Sequence, residues 1–311
     1  MSRTGLFTHS ACLEHITPPG HPERVERLST ILAELSRPEF SRLLQREAPR
    51  ATRESLLRAH STGLVDRILD IEVGGAIFVR IDADTAMSKG SREAALRAAG
   101  SVIAAADEVM AGTMDNAFCA VRPPGHHAER ERAMGFCLFN NVAIAALHMR
   151  AAHGLSRIAV VDFDVHHGNG TQDIFFDDAD LFYASTHQSP LYPGTGSASE
   201  RGVAGNVVNV PLPPGAGGSE LRRAFETRVL PSLETFEPEF LFISAGFDAH
   251  MADPLANLRF GTEDFAWATR ELCAVAARMC NRRVVSTLEG GYDLDALRQS
   301  VGAHVRALME A

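Results

Sequence analysis

The sequence predicts an α/β protein, one domain built on a mostly parallel sheet with helices on both faces. Three observations carry this. Short apolar runs rich in β-branched residues alternate with longer helical patterns along the chain. No internal repeat, low-complexity tract or Pro/Ser-rich linker interrupts it, and the richest loop, PLPPGAGGSE at 211–220, is too short to separate domains, so residues 1–311 read as one unit. A chain of 311 residues with 45% hydrophobic content can also bury a large core. Strands joined through helices need crossover connections, which cover both faces of a parallel sheet.

In chain order the strand-like runs are NAFCAV (116–121), RIAVVDF (157–163), DLFYAS (180–185), NVVNV (206–210), EFLFISA (239–245) and RRVVSTL (282–288). Helical patterns occupy 91–110, 140–154, 219–236 and 262–279. Ser91, Ser219 and Thr262 are the expected N-caps, and Glu263 and Asp264 suit the positive end of the last of these helices.

Composition narrows the functional classes. The net charge of −9 disfavours non-specific nucleic-acid binding and mildly favours basic substrates. Lys89 is the only lysine, so nearly all positive charge is arginine. Five widely spaced cysteines without a CxxC argue against a disulfide framework and a thiolate zinc site; Cys273 and Cys280 suit a buried helix face. The N-terminus has no stretch apolar enough for a signal peptide, and no segment approaches ~20 apolar residues, so no membrane partner and a cytoplasmic location are expected. Homo-oligomerisation is left open.

Four strands run directly into polar clusters: NAFCAV into RPPGHHAER, RIAVVDF into DVHHGNG, EFLFISA into GFDAHMADP, and RRVVSTL into EGGYD. Open α/β sheets bind ligands beyond the carboxyl ends of their strands, so these clusters should share one rim. In VVDFDVHH, strand alternation sends Asp162, Asp164 and His166 to one side and Val161, Phe163 and Val165 to the other. A carboxylate and an imidazole two residues apart can converge on one ion; a catalytic zinc takes three N or O ligands, and Asp248 is the best third. An isolated Asp-x-His is more often a turn former, a cap or a solvated pair, and it is the combination with the other strand ends that favours a metal. His126 and His127 suit ligands, a buried structural residue or acid/base groups. Tyr292, behind two glycines, suits an oxyanion donor or a tyrosine packed on a turn.

RPPGHHAE, GFCLFNN, DFDVHHGNGTQ, SAGFDAHMADPL and LEGGY, in this order, resemble the zinc-dependent histone deacetylase family, from about residue 5 to the C-terminus and including PPGHPERVERL. GNGTQ, in place of an Asp after HHG, is similar to the class II branch and its bacterial amidohydrolase and acetylpolyamine amidohydrolase relatives. The resemblance implies the arginase/deacetylase fold, a single three-layer α/β/α domain around about eight strands. It implies one Zn2+ on Asp164, His166 and Asp248, and an acid/base pair of His126 and His127 backed by Asp162 and Asn169. Tyr292 would polarise the carbonyl, Gly135, Phe136 and Tyr192 would shape a tunnel for the substrate's alkyl chain, and Asp84 and Thr85 would grip a substrate backbone. A structural K+ or Na+ would sit on backbone oxygens of Asp162, Asp164 and His166 with Ser185 and Thr186, and a more peripheral cation on Phe175, Asp178, Leu181 and Asn206. The neutral Asn169, where class I members carry aspartate, should leave His127 the less basic of the two histidines.

The expected reaction is hydrolysis of acetyl or related acyl groups from lysine side chains in peptides or proteins, or from small amines. Polyamine-selective relatives carry an acidic gatekeeper seven residues beyond the third metal-binding Asp; here that position is Leu255, which favours acyl-lysine. The rivals are an acetylpolyamine deacetylase, an arginase-like dimanganese ureohydrolase using Asp248, His250 and Asp253, and a non-catalytic acyl-amine sensor or scaffold. The ureohydrolase reading fails at DVHHGN, which supplies His167 and Asn169 after the ligand His, too few carboxylates to bridge two ions.

Overall fold

The computed structural model describes residues 2–75 and 77–311. In chain order the elements are β1 (Thr4–Thr8), α1 (Val25–Leu35), β2 (Leu44–Glu47), α2 (Arg53–Ala59), α3 (Thr62–Asp70), the two-residue strands β3 (Val79–Arg80) and β4 (Ala86–Met87), α4 (Ser91–Met110) and β5 (Asn116–Cys119). There follow α5 (Asn141–His153), β6 (Ile158–Asp162), α6 (Asn169–Phe175), β7 (Leu181–Gln188), β8 (Val207–Leu212), α7 (Gly218–Ala224), α8 (Leu230–Phe236), β9 (Phe240–Ala245), α9 (Thr262–Met279), β10 (Val284–Leu288) and α10 (Leu294–Glu310).

Eight strands form one sheet in the order β2-β1-β5-β10-β9-β6-β7-β8, with every neighbouring pair parallel. From β5 the chain steps outward to β8, then reverses to place β9 and β10 in the middle. Right-handed crossovers put helices from steps in opposite directions on opposite faces. Thus α4 and α5 pack together on one face, whereas α9, α10 and α1 pack on the other, making three layers. The four strands with polar ends, β5, β10, β9 and β6, are consecutive in the sheet. Register makes the rim level: Cys119, Thr287, Ser244, Asp162, Ser185 and Asn209 form one transverse row of paired residues.

The structure revises several local expectations. β1 and β2 were not read as strands: TGLFT is short, and LQRE alternates half-buried and exposed residues at the sheet edge. The arginines of RRVVSTL lie outside β10, because Asn281 and Arg282 take left-handed φ values of 52° and 65° in the preceding turn. β6 ends at Asp162, so Asp164 and His166 project from the turn beyond it, while Phe163 and Val165 still enter the core. The caps move as well. Gly90, Gly217 and Gly261 are the N-caps, and the N–H groups of Gly217 and Gly261 donate to Glu220 (2.9 Å) and Asp264 (2.8 Å). The carboxylate three residues into the helix does the work expected of Ser219 and Thr262. Ser91 instead opens α4, its Oγ accepting from Ser88 N at 2.7 Å. The helix expected at 219–236 widens into a π-helical stretch at Phe225–Val229, just before Pro231, which has no N–H to continue the ladder.

Candidate active site

The turn after β6 brings Asp164 and His166 against Asp248, from the turn after β9; all three are buried, with ligand atoms within 4.8 Å of one another. Backbone donors hold the carboxylates: Asp164 Oδ2 accepts from Gly290 N (2.8 Å), Asp164 Oδ1 from His166 N (2.9 Å) and Asp248 Oδ1 from Val165 N (2.9 Å). His166 Nδ1 lies 3.1 Å from Asp164 Oδ1 and 3.2 Å from Asp248 Oδ2. Asp248 Oδ2 is buried and accepts no well-aligned hydrogen bond, its contact with His166 Nδ1 being one of ion-pair distance. It converges with that imidazole nitrogen and a second carboxylate, a donor set that fits a zinc ion. Burial opposes charge on His166, yet Asp164 and Asp248 outweigh it and raise its pKa to about 10. Two glycines give the carboxylates room: a Cβ on Gly246 would lie 2.0 Å from Asp164 Oδ2, and one on Gly290 2.0 Å from Asp248 Oδ2.

The histidine pair sits beside this pocket, with ring centroids 4.0 Å apart. His126 Nδ1 donates to Asp162 Oδ2 at 2.9 Å, and that oxygen also accepts from the Tyr183 hydroxyl at 3.1 Å. His127 Nδ1 is 2.8 Å from Asn169 Oδ1. The amide orientation is set from its other end, since Asn169 Nδ2 lies 2.7 Å from Glu129 Oε1, a carboxylate that can only accept. Oδ1 therefore faces His127, whose Nδ1 carries the proton and whose Nε2 keeps a lone pair. Burial disfavours charge on both rings. For His126 the charges of Asp162 and Asp164 outweigh burial and raise the pKa to about 10. For His127 the neighbouring His126 and His166 add to burial, and its pKa falls well below the usual histidine range. The order agrees with the expectation drawn from Asn169.

Tyr292 is buried, its ring edge-on to Phe136 with centroids 6.0 Å apart and beneath the Arg27 guanidinium at 4.9 Å. Burial holds its hydroxyl well above the usual tyrosine range, so it stays protonated. Tyr292 N donates to Asp253 Oδ2 at 2.7 Å. Asp253 thus braces the tyrosine loop, and neither it nor His250 joins the Asp164, His166 and Asp248 group, which weighs against the second metal motif of the ureohydrolase reading.

Phe136 and Tyr192 contact different residues of the site. Tyr192 lies edge-on to His127 at 5.2 Å, and Phe136 packs between Tyr292 and His21, 4.6 Å from the latter. Gly135 has φ 57°, and a Cβ there would meet His127 Cδ2 at 2.5 Å. Phe136 itself takes φ 68°, a strained value for a bulky residue, held by its N–H to Thr85 Oγ1 (3.0 Å), whose hydroxyl donates to Asp84 Oδ1 (3.0 Å). Asp84 and Thr85 therefore brace the Phe136 loop. Leu255 lines a cleft of about 600 Å³ with Tyr292, His21 and Pro254. His187 Nε2 donates to Gly196 O (3.0 Å), so its Nδ1 accepts from Ser185 Oγ (2.9 Å). Thr186 Oγ1 is buried without a partner.

Sequence reasoning missed the frame behind these groups. Glu289 Oε2 accepts from Gly125 N (2.7 Å) and His126 N (3.1 Å), fixing the histidine loop to the end of β10; burial raises its pKa to about 7. Buried Arg27 donates to Gly291 O (2.6 Å), Glu289 O (2.5 Å) and Glu23 Oε1 (3.1 Å), and Arg122 grips both oxygens of Glu23. The one signal was Glu23 and Arg27 four apart in HPERVER. A second cluster, Asp107, His148 and His153, lies nearer the surface. There Arg58 donates to His148 Nδ1 (2.8 Å), which directs the Nε2 proton toward Asp107 (2.8 Å) and makes the group a hydrogen-bonded bridge between helices.

Residues 21–308 match the Histone deacetylase domain family. The chain is 39% identical to "Histone deacetylase 14, chloroplastic" of Arabidopsis thaliana, over 98% of this chain and 76% of the relative. It is 38% identical to the "Histone deacetylase-like amidohydrolase" of Pseudomonas aeruginosa, over 93% and 82%, and 40% identical to a "Probable deacetylase" of Archaeoglobus fulgidus, over 94% and 82%. The crystal structure of the HDA15 HD domain superposes with a TM-score of 0.93 at 36% identity, covering 99% of this chain and 88% of that one. The chain belongs to the histone deacetylase family.

Proposed function

We propose that this chain is a zinc-dependent amidohydrolase that removes acetyl or related acyl groups from lysine side chains or similar amines. The observation that carries the reading is the meeting, at one rim, of the converging Asp164, His166 and Asp248 with two histidines of opposite electrostatic setting. Asp164, His166 and Asp248 would hold the zinc. When bound, zinc polarises an amide carbonyl and lowers the pKa of water. His127, with Nδ1–H committed to Asn169, offers the Nε2 lone pair to take a proton from the attacking water and return it to the leaving amine. His126, paired with Asp162, supplies fixed positive charge. Tyr292, protonated, donates to the developing oxyanion. Phe136 and Tyr192 flank an extended alkyl chain. A K+ or Na+ on the oxygens of Asp162, Asp164, His166, Ser185 and Thr186 would stiffen the turn below.

Leu255 stands where polyamine-selective relatives carry an acidic gatekeeper, and the cleft it lines balances Glu26 with Arg24, so acyl-lysine in peptides is the favoured substrate class. The test is acyl release by zinc-loaded protein from acetyl-lysine peptides, acetylpolyamines and longer acyl-lysines. Faster turnover of the polyamines would overturn the preference. Tight binding of all three without release would overturn the enzyme.

A further inference from the structure

The backbone carbonyls of Phe175, Asp178 and Leu181 converge on one point between α6, β7 and β8. The side-chain amide nitrogen of Asn206 occupies it, at 3.1, 3.0 and 2.9 Å from the three oxygens. These are the residues that the family resemblance assigns to a peripheral monovalent cation, and they do not fit one. Asn206 is buried. Its Oδ1 accepts from Ala204 N at 3.2 Å, so the amide cannot turn over: a flipped group would set one oxygen against three others and an NH2 against an N–H. The Asn206 backbone oxygen is engaged as well, accepting from Tyr183 N at 2.9 Å in the sheet. Room for the amide comes from Gly202, at φ 67°, where a Cβ would lie 2.3 Å from Asn206 Oδ1.

We propose that the Asn206 carboxamide replaces the peripheral cation, so that the chain carries one structural monovalent ion rather than two. The two amide hydrogens are shared among three carbonyls that wind through consecutive turns, Asp178 N bonding Phe175 O and Leu181 N bonding Asp178 O, each at 3.1 Å. A neutral donor built into the chain satisfies these oxygens at any salt concentration, whereas a bound ion would do so only above its dissociation constant.

The proposal is tested on crystals of the intact protein grown with thallium(I) acetate, using thallium as an anomalous surrogate for potassium. No anomalous peak is expected among the oxygens of Phe175, Asp178 and Leu181. A peak there, with Asn206 swung aside, would overturn the proposal. Asn206→Asp tests it in solution. A carboxylate at this position repels the three carbonyls unless a cation lies between them, so exchange of choline chloride for potassium chloride at equal ionic strength should raise the variant's thermal midpoint by about 3 °C more than that of the parent. An equal response of the two proteins would also overturn it.

Discussion

Asn169→Asp should move the acidic limb of the kcat/KM profile upward. Asn169 Oδ1, which the change retains as a carboxylate oxygen, lies 2.8 Å from His127 Nδ1, so the change places a negative charge in contact with a ring held well below the usual histidine range. Unit charges ~4 Å apart at an effective dielectric constant of ~20 interact by about 4 kcal/mol, which would be about three pKa units. Glu129 reduces this: its Oε1, 2.7 Å from Asn169 Nδ2, would face a second carboxylate and pull the new group's proton affinity upward. A net rise of about one to two units in the His127 pKa is therefore expected. The raised pKa means His127 stays protonated to higher pH, so the base form, and with it activity, is lost at a higher pH on acidification. The assay is acyl release from a peptide between pH 5 and 9, on the single variant and with Glu129→Gln added. The double variant should show the larger shift. A profile superimposable on that of the parent would refute the pairing of Asn169 with His127, as would a larger shift in the single variant than in the double.

Tyr292→Phe keeps the packing against Arg27 and Phe136 and the backbone bond to Asp253, so kcat should fall by ~100-fold or more with KM and metal content unchanged; near-parental turnover would remove the hydroxyl from the reaction. Asp248→Asn removes a charge from the ligand set, and zinc affinity, measured by competition with a chelator, should weaken by more than the ~10-fold typical of losing an outer partner. Unchanged zinc retention would disqualify Asp248. Gly135→Ala forces a Cβ onto the His127 ring at a left-handed φ, and should cost ~1–3 kcal/mol in chemical denaturation and most of the activity; a variant as stable and active as the parent would show that the loop yields.

The parts of the site legible in the sequence were those whose chemistry is carried by neighbours in the chain. Asp164 and His166 stand two apart after an apolar run, and Asp248 and Tyr292 follow equally plain strands, so the rim could be assembled from strand ends alone. The groups that hold them were hidden because they act across long separations. Arg27 reaches carbonyls more than 260 residues away, Glu289 anchors a loop 164 residues earlier, and Tyr183 reads as one more apolar residue of β7 although its hydroxyl serves Asp162. The same holds for β1 and β2, which are strands through their partners rather than their composition. The Asn206 carboxamide is hidden for a different reason: a family pattern specifies backbone oxygens, and only coordinates show a side chain filling the space among them.

The placement of β10 has a consequence for biosynthesis. This strand is the last of the sheet to be made, yet it sits between β5 and β9 and, among the described residues, is the sole bridge between the β2-β1-β5 and β9-β6-β7-β8 halves. A nascent chain can therefore assemble two partial sheets but cannot join them until the segment from Val284 onward has left the ribosome. That segment also carries Glu289, Gly290 and Tyr292. Chains cut short before Val284 have a split sheet and an unfinished rim, and the exposed edges of β5 and β9 make them candidates for chaperone capture or aggregation before they could release any product.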